Sequence, residues 1–168
     1  MSISMYSASV PVFVRMLNNL AGVLEKADAH AQAKNIDATV LTGSRLFPDM
    51  FPLSRQVQIA TDGAKGGAAR LAGVDIPVYE DTEKTFADLI ARCKKTVAFL
   101  ESLKPEQIDS SEDKTITLEM RTGPVSFKGL NYLLNFVHPN FYFHVTTTYD
   151  ILRNSGVELG KRDYLGKP

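Results

Sequence analysis

The chain has 168 residues, of which 44% are hydrophobic, and its 19 basic residues balance 19 acidic residues. This length suits one domain with a hydrophobic core, so we expect a single domain over residues 1–168. No window collects the Lys and Arg residues that bind nucleic acid or anionic lipid, and no apolar run is long enough to span a bilayer. The N-terminus lacks the pattern of a signal peptide, which predicts a soluble, cytoplasmic protein with neither nucleic acid nor membrane as partner.

Hydrophobic periodicity predicts two long helices in the first half of the chain. Apolar residues recur at helical spacing from Ser9 to Lys34, and Pro11 fits the first turn, where no amide donor is lost. A loop with a short helical turn, capped by Asp37, leads to a second helix from about Pro52 to Ala72. The inward face of this helix is made of small residues, and a glycine pair follows; small residues would let a neighbouring helix approach closely or would leave space for something else.

A third helix carries an apolar stripe from Phe86 to Leu100, and we expect Asp81 or Thr82 to cap it and Pro105 to end it. Cys93, the one cysteine, lies on this stripe. It is therefore expected to be a buried thiol, and the chain has neither an internal disulfide nor the cysteines for a structural zinc or iron–sulfur site.

The last third of the chain predicts a β-hairpin followed by a long helix. The hairpin is indicated by alternation from Ile116 to Met120 and a turn at Thr122 and Gly123. Helical periodicity then runs from Leu130 to Gly156, with a kink or restart at Pro139, and the tail beyond is expected to be loosely ordered. Four amphipathic helices with one hairpin before the last predict a mainly α protein, a four-helix bundle. The apolar residues assigned to the inward face of the last helix are Leu130, Leu133, Leu134, Val137, Phe141, Val145 and Leu152.

Polar residues interrupt the inward face of this last helix. Asn140, His144 and Thr148 share one face at spacings of four residues, and His144 lies between apolar neighbours. A buried histidine must bond or coordinate something, so this face predicts either a ligand pocket or a structural hydrogen bond that fixes helix register. His138, six residues before His144, lies on a divergent face of a straight helix.

Two runs of sequence resemble a known family: PNFYFHVTTTYDILRNSGVELGKRDYLG at 139–166 and PDMFPLSRQVQIATDGAKGGAARLAG at 48–73. They are similar to the bacterial family of unknown function numbered 1993, which is placed in the DinB/YfiT-like superfamily of metalloenzymes. The resemblance spans nearly the whole chain. It implies a DinB-like four-helix bundle that is often a homodimer, with no established activity for this branch.

The resemblance also implies a position for a metal site. Better-known relatives bind nickel or zinc through one histidine on the second helix and a His-x-x-x-His pair on the last. Matched to them, His144 takes the final ligand position, Asn140 the preceding one, and the second-helix position falls near Gln58, within about one turn. One imidazole and two amides bind nickel or zinc poorly, so the resemblance implies a degenerate site with no tightly bound metal.

Other polar residues complete the candidate pocket. Asp62 lies one turn beyond Gln58, and it could pair with His144 if it turned inward, although such carboxylates are usually solvated. Tyr149 could line the pocket with its ring. Thr148 shares the face of His144 and could line the pocket with its hydroxyl group. His138 could join His144 as a metal ligand if Pro139 reorganises the turn. The candidate ligand-binding residues are His144, Asn140, Gln58, Thr148, Tyr149 and Asp62, and the candidate metal ligands are His144 and His138.

Three functions remain open from the sequence. The first is a bundle with a polar pocket around His144 that binds a small molecule. The second is a divalent-metal-dependent enzyme, of the thiol-transfer type seen in relatives. The third is a non-catalytic dimeric structural or stress protein in which His144 only supports the fold.

Overall fold

A computed structural model describes residues 3–167 of the chain. The parts of the predictions that concern Met1, Ser2 and Pro168 lie outside the described residues. Within the described range, the chain forms eight α-helices, one π-helical turn and one antiparallel hairpin. In chain order they are α1 (Val10–Lys34), α2 (Ala38–Thr42), α3 (Leu53–Ala72), α4 (Phe86–Ser102), α5 (Pro105–Ile108), β1 (Thr115–Met120), β2 (Gly123–Lys128), α6 (Gly129–Tyr132), the π-helical turn (Leu133–Val137), α7 (His138–Asn154) and α8 (Lys161–Leu165).

Helices α1, α3, α4 and α7 form a four-helix bundle. Helix α1 packs mainly on α4 and α3 mainly on α7, while α3 and α4 are also in contact. Their apolar stripes meet in one core, in which Phe13, Val57, Leu89 and Phe141 are fully buried. The predicted fold class, mainly α with a hairpin before the last long helix, is confirmed. Among the helices of residues 3–167, none combines the length and the apolar character needed to cross a membrane.

Helix ends follow the local sequence, with one difference from the prediction. Pro11 stands in the first turn of α1, which ends where Asn35 adopts a left-handed conformation. The predicted cap of α4 at Asp81 or Thr82 is wrong. Thr85 accepts the amide of Asp88, whose carboxylate accepts the amide of Thr85 in return. This reciprocal box satisfies two free donors at once, which neither predicted residue could do from outside the helix.

The long last helix is interrupted where Pro139 predicted a restart. The backbone forms the π-helical turn over Leu133–Val137, and α7 then begins at His138 with Pro139 in its first turn. The assignment of Leu130 and Leu134 to the inward face is wrong, because these side chains are 46% and 47% exposed. A π turn holds more residues than an α turn, so it changes the angular position of Leu134 inside the turn and of Leu130 before it, relative to α7.

The hairpin and the tail complete the fold around the bundle. Met120 pairs with Gly123, which leaves a two-residue turn, and Ile116 on β1 is buried. The tail is ordered rather than loose: Val157 is 1% exposed and anchors the segment that leads into α8. Helix α8 lies against α1, and Lys26 of α1 binds the carboxylate of Asp163 at 2.6 Å. Buried apolar contacts therefore hold a segment whose polar composition suggested disorder.

The small inward face of α3 brings α7 and the π-helical turn close to it. A Cβ atom on Gly67 would come within 2.6 Å of a methyl carbon of Val137, which is closer than packed atoms approach. Gly63, one turn earlier, faces Asn140 of α7. The predicted close approach of a neighbouring helix is confirmed, and it fixes the register in which α3 and α7 present their polar residues.

Candidate functional site

His144 lies between α7 and the first turns of α3, and it is 7% exposed. Its Nδ1 is 2.6 Å from Oε1 of Gln56. Gln56 is also buried, and its Nε2 donates to the backbone carbonyl of Phe51, just before α3, at 3.1 Å. The imidazole is thus held by an amide that is itself held by the backbone.

This chain of bonds fixes the tautomer of His144. The carbonyl of Phe51 can only accept, so the amide nitrogen of Gln56 must face it and the amide oxygen must face His144. The imidazole therefore donates from Nδ1–H, and in the neutral ring Nε2 then carries a free lone pair. Nε2 has no hydrogen-bond partner among residues 3–167 and is not sealed from solvent.

The surroundings keep His144 neutral. Burial lowers its pKa below the ordinary value, and the nearby positive charge of Arg55 lowers it further. At neutral pH the ring therefore presents one donor, already used, and one unused acceptor. A neutral imidazole of this kind can accept a hydrogen bond, take up a proton or coordinate a cation.

A second polar cluster lies on the opposite flank of α3 and is centred on Arg92 of α4. The Arg92 side chain is 2% exposed, and its Nε donates to the hydroxyl of Thr61 at 2.7 Å. One terminal nitrogen binds Glu83 at 2.9 Å, and the other binds Asp62 at 2.8 Å and Asp81 at 3.1 Å. Every nitrogen of this guanidinium is engaged, so Arg92 ties the loop between α3 and α4 to both helices.

Gln58 and Arg55 extend this cluster toward the start of α3. Arg55 donates from Nη1 to Gln58 Oε1 at 3.2 Å and forms an ion pair with Asp81. Gln58 Nε2 donates to Glu83 at 2.9 Å. Burial raises the pKa of Glu83, but hydrogen bonds from Arg92 and Gln58 outweigh burial and hold this pKa below its ordinary value.

The cluster balances its own charge. Lys65 of α3 is 5% exposed in its side chain and pairs with Asp62 at 3.0 Å, while its ammonium lies 3.8 Å from the ring centre of Tyr79. Lys65, Arg55 and Arg92 thus offset three carboxylates, those of Asp62, Asp81 and Glu83. A surface cavity of about 580 Å³ lies beside the cluster, with Tyr79, Arg92 and Lys95 among its lining residues.

The structure separates the predicted pocket residues. Asn140 lies on the same face of α7 as His144, one turn earlier, against Gly63. Gln58 points to Glu83 and Arg55, and Gln56 takes the place beside His144. Gln58 therefore belongs to the Arg92 cluster.

Three further candidates have other partners. Asp62 pairs with Arg92 and Lys65. The hydroxyl of Thr148 is fully buried and donates to the carbonyl of His144 at 2.9 Å, which is a bond within α7. Tyr149 packs edge-on against Tyr164 of α8, with ring centres 6.1 Å apart. None of these three residues presents a polar atom to Nε2 of His144 in the described part of the chain.

His138 is held at a different place from His144. Its Nε2 is 2.8 Å from the carbonyl of Ala8, and its ring lies between Phe13 and Tyr142. Burial lowers the pKa of His138, and the hydrogen bond to the Ala8 carbonyl offsets only part of this lowering. The predicted metal pair of His138 and His144 is not assembled, because the two imidazoles are bonded to separate parts of the chain.

Gln56 and Arg92 were not among the candidate site residues derived from the sequence, although Gln56 lies within one turn of Gln58. Gln56 differs from Gln58 only in its angle around α3, and the register between two helices far apart in sequence decides which residue meets His144. A signal for Arg92 was present: it stands next to Cys93, beside the apolar stripe, with four acidic residues in the preceding loop. An arginine beside such a stripe is ordinarily solvated, so the pattern alone did not distinguish a buried arginine from a solvated one.

The residues around His144 do not fit zinc or nickel. His144 supplies one imidazole, and the amide oxygen of Gln56 is committed to its N–H. The carboxylates of the Arg92 cluster lie on the opposite flank of α3, where Arg92, Arg55 and Lys65 neutralise them. Within residues 3–167 no group of three or more His, Cys, Asp or Glu side chains is placed to hold a metal ion. A divalent cation would also meet the positive charge of Arg55.

Comparison with known proteins agrees with this fold. A family model described as a domain of unknown function, DUF1993, matches residues 5–165. Among solved structures, the chain is similar to the crystal structure of a DinB family member protein from Shewanella denitrificans, with 40% sequence identity and a TM-score of 0.89. That match covers 97% of this chain and 92% of the other chain. A comparison with curated proteins gave no significant match.

Proposed function

Because this chain belongs to the DUF1993 family and shares its fold with a DinB family member, we propose its function from the chemistry of its own site: it binds a small organic molecule at His144. One observation carries the proposal. His144 is 7% exposed, and its ring is fixed in the tautomer that leaves Nε2 as an unused acceptor.

A purely structural histidine would not need this arrangement. The bond from Nδ1 to Gln56 is enough to fix the register of α7 against α3. The other nitrogen, Nε2, has no partner among residues 3–167 but is open to solvent, so it takes no part in holding the fold. A ligand that donates a hydrogen bond can reach this nitrogen and would use an acceptor that a structural role leaves unused.

The test is a fragment screen with the full chain labelled with ¹⁵N. Mixtures of small acids, amines, alcohols and amides are added, and amide chemical shifts are recorded. We expect shifts around His144 on α7 and around Gln56 on α3. The matched variant is His144→Asn, whose amide can still donate to Gln56 but has no group in place of Nε2. His30→Asn on α1 serves as the control, since His30 lies beside Val157 and Glu158 and not beside Gln56.

Two outcomes would overturn this proposal. The first is that no fragment shifts the residues around His144, or that binding is unchanged in His144→Asn. The second comes from titration of untagged protein with zinc and nickel. Stoichiometric metal that is bound by the wild type and lost in His144→Asn would favour the metal-dependent enzyme instead.

A further inference from the structure

We propose that the cleft between α7 and α8 binds a small zwitterion that carries a methylated ammonium group and a carboxylate, the class to which betaines belong. The cleft has a volume of about 220 Å³, and it is lined by Thr146, Tyr149 and Asp150 of α7 and by Lys161 and Tyr164 of α8. Sites for drug-sized molecules measure roughly 300 to 1,000 Å³, so a ligand of this cleft must be small.

This cleft is separate from the site at His144. Each residue advances an α-helix by about 100°, so Thr146 lies about 200° around α7 from His144. Tyr149 and Asp150 follow Thr146 at spacings of three and four residues, which places the three side chains on one face of α7. The inference therefore does not depend on the function proposed for His144.

Fixed contacts hold the wall of the cleft that α8 forms. On the side of α1, Asp163 binds Lys26 at 2.6 Å, and the carbonyl of Tyr164 accepts from the side-chain amide of Asn19 at 3.0 Å. On the side of α7, the hydroxyl groups of Tyr164 and Thr146 form a hydrogen bond of 3.0 Å. The cleft is thus formed before a ligand arrives, which reduces the ordering cost of binding.

The two tyrosines form an aromatic corner in the cleft. The ring centres of Tyr149 and Tyr164 are 6.1 Å apart, and the ring planes are inclined at 76°. A cation in this corner would lie about 4 to 5 Å from each ring centre, inside the roughly 6 Å over which the face of a ring attracts a cation. The cation–ring contacts of residues 3–167 all involve Tyr79, so no lysine or arginine of this range occupies the corner.

Two opposite charges flank the aromatic corner. Asp150 and Lys161 both line the cleft and are exposed, and within residues 3–167 neither of them forms an ion pair. Their charges cancel, so a ligand with a net charge is attracted by one residue and repelled by the other. A zwitterion can place its ammonium group by the rings and Asp150 and its carboxylate by Lys161, and it is then attracted by both residues.

The surfaces of the cleft favour a methylated ammonium group over a free one. A free ammonium group has three N–H donors, and it loses their bonds to water when it enters a site without enough acceptors. The hydroxyl groups of Thr146 and Tyr164 are already bonded to each other, and the faces of the rings replace water poorly as acceptors. Methyl groups need no acceptor, and they bring the positive charge into contact with both rings.

Four probes separate the requirements of the cleft. Glycine betaine has both charges and a fully methylated nitrogen. In 3,3-dimethylbutanoate a carbon replaces that nitrogen, so the shape stays and the positive charge is lost. Choline keeps the methylated ammonium group and has a hydroxyl group instead of the carboxylate, and glycine keeps both charges without the methyl groups. Each probe is titrated into the full chain labelled with ¹⁵N, and dissociation constants are taken from the amide shifts of Thr146, Tyr149 and Tyr164.

We expect glycine betaine to bind tightest. The loss of the positive charge removes the attraction to both rings, so 3,3-dimethylbutanoate should bind about tenfold more weakly. The loss of the carboxylate removes only an exposed contact with Lys161, so choline should bind about threefold more weakly. Glycine lacks the apolar surface that the rings would cover, and it should bind roughly tenfold more weakly.

The variants assign each preference to its residue. In Tyr149→Leu, glycine betaine should lose most of its preference over 3,3-dimethylbutanoate, whereas Tyr149→Phe, which keeps the ring, should retain it. Asp150→Asn should reduce the same preference, and because Asp150 is exposed, this variant keeps the test valid if Tyr149→Leu is unstable. In Lys161→Gln, glycine betaine and choline should bind equally. Lys34→Gln is the matched control, because it removes the same charge from an exposed position at the end of α1 and should leave all four constants unchanged.

Three results would overturn this inference. The first is that glycine betaine causes no saturable shift around the cleft. The second is that it binds no more tightly than 3,3-dimethylbutanoate, or no more tightly than glycine. The third is that its preference over 3,3-dimethylbutanoate is unchanged in both Tyr149→Leu and Asp150→Asn.

Discussion

Replacing Arg92 tests how the loop between α3 and α4 is held. The substitution Arg92→Met keeps the length and the apolar part of a buried side chain and removes its charge. It deletes the bonds to the hydroxyl of Thr61 and to the backbone carbonyl of Glu80, and the contacts to Asp62, Asp81 and Glu83. We expect a loss of stability from these contacts alone, since methionine can fill the same space.

The magnitude follows from what each former partner keeps. Removing one member of a buried ion pair costs about 3 to 5 kcal/mol when the other charge is left alone. Here Asp62 keeps Lys65, Asp81 keeps Arg55, and Glu83 keeps the amide of Gln58. The cost should therefore lie at the low end, about 3 kcal/mol in the free energy of unfolding. For a chain of this length, this corresponds to a fall of roughly 6 to 12 °C in melting temperature.

Urea unfolding at pH 7, followed by circular dichroism, measures this cost. Lys94→Met is the matched control, because Lys94 lies on the same helix with its side chain 63% exposed and its pair with Glu25 is also exposed, so stability should change by less than about 0.5 kcal/mol. The pH dependence gives a second check. Glu83 has a native pKa below its ordinary value, so its stabilisation is complete above about pH 4.5 and is lost as the pH falls through the native pKa. The difference between wild type and Arg92→Met should shrink in that acidic range.

A loss below about 1 kcal/mol in Arg92→Met would refute the reasoning, because the Arg92 side chain is 2% exposed and that of Glu83 is 12% exposed, and a charged contact buried to this degree cannot be removed so cheaply. A difference that stays constant from neutral to acidic pH would refute the assigned role of the carboxylates.

Other features give direct tests. At pH 7 the imidazole ¹⁵N shifts of His144 should show the proton on Nδ1, and a proton on Nε2 would contradict the assigned tautomer. The free energy of unfolding should fall as the pH drops below the ordinary pKa of 6.5 toward the lower native value, because the unfolded chain binds the proton first. Gly67→Ala should lower the free energy of unfolding by about 1 to 3 kcal/mol, since the new Cβ would meet Val137 at 2.6 Å. Gly66→Ala should be neutral or stabilising, because its Cβ meets only the end of the Arg70 side chain. Equal effects of the two substitutions in thermal unfolding would contradict this packing. Burial raises the pKa of the Cys93 thiol to about 12, so Ellman's reagent should label it only on unfolding, and rapid labelling of the folded protein would contradict its burial.

The bundle could be predicted from sequence because apolar spacing is a local property. The stripes of α1, α3 and α4 fall where periodicity put them, and His144 turns inward as its position between Phe141 and Val145 indicated. The predictions that failed depend on the register between helices that are distant in sequence. Whether Gln56 or Gln58 meets His144 is a rotation of 200° around α3, and only the packing of glycines against α7 decides it.

Burial of charge was the other part that the sequence could not supply. Arg92 carries its partners on a loop and on a different helix, so no spacing within α4 reveals them. The tail was also misjudged, because the burial of Val157 and the pairing of Asp163 with Lys26 depend on where α1 lies. Composition describes a segment by itself, whereas order depends on the surface that receives it.

The π-helical turn at Leu133–Val137 has a consequence for how relatives should be aligned. Each residue advances an α-helix by about 100°, so the additional residue in this turn rotates the segment that follows the hairpin by about that angle relative to α7. Relatives that lack the turn should show a one-residue deletion here while keeping both flanking segments. Deleting one residue from this turn would regularise the helix and leave either Tyr132 or His144 rotated away from its present neighbours, so the chain length between these two residues is itself under structural constraint.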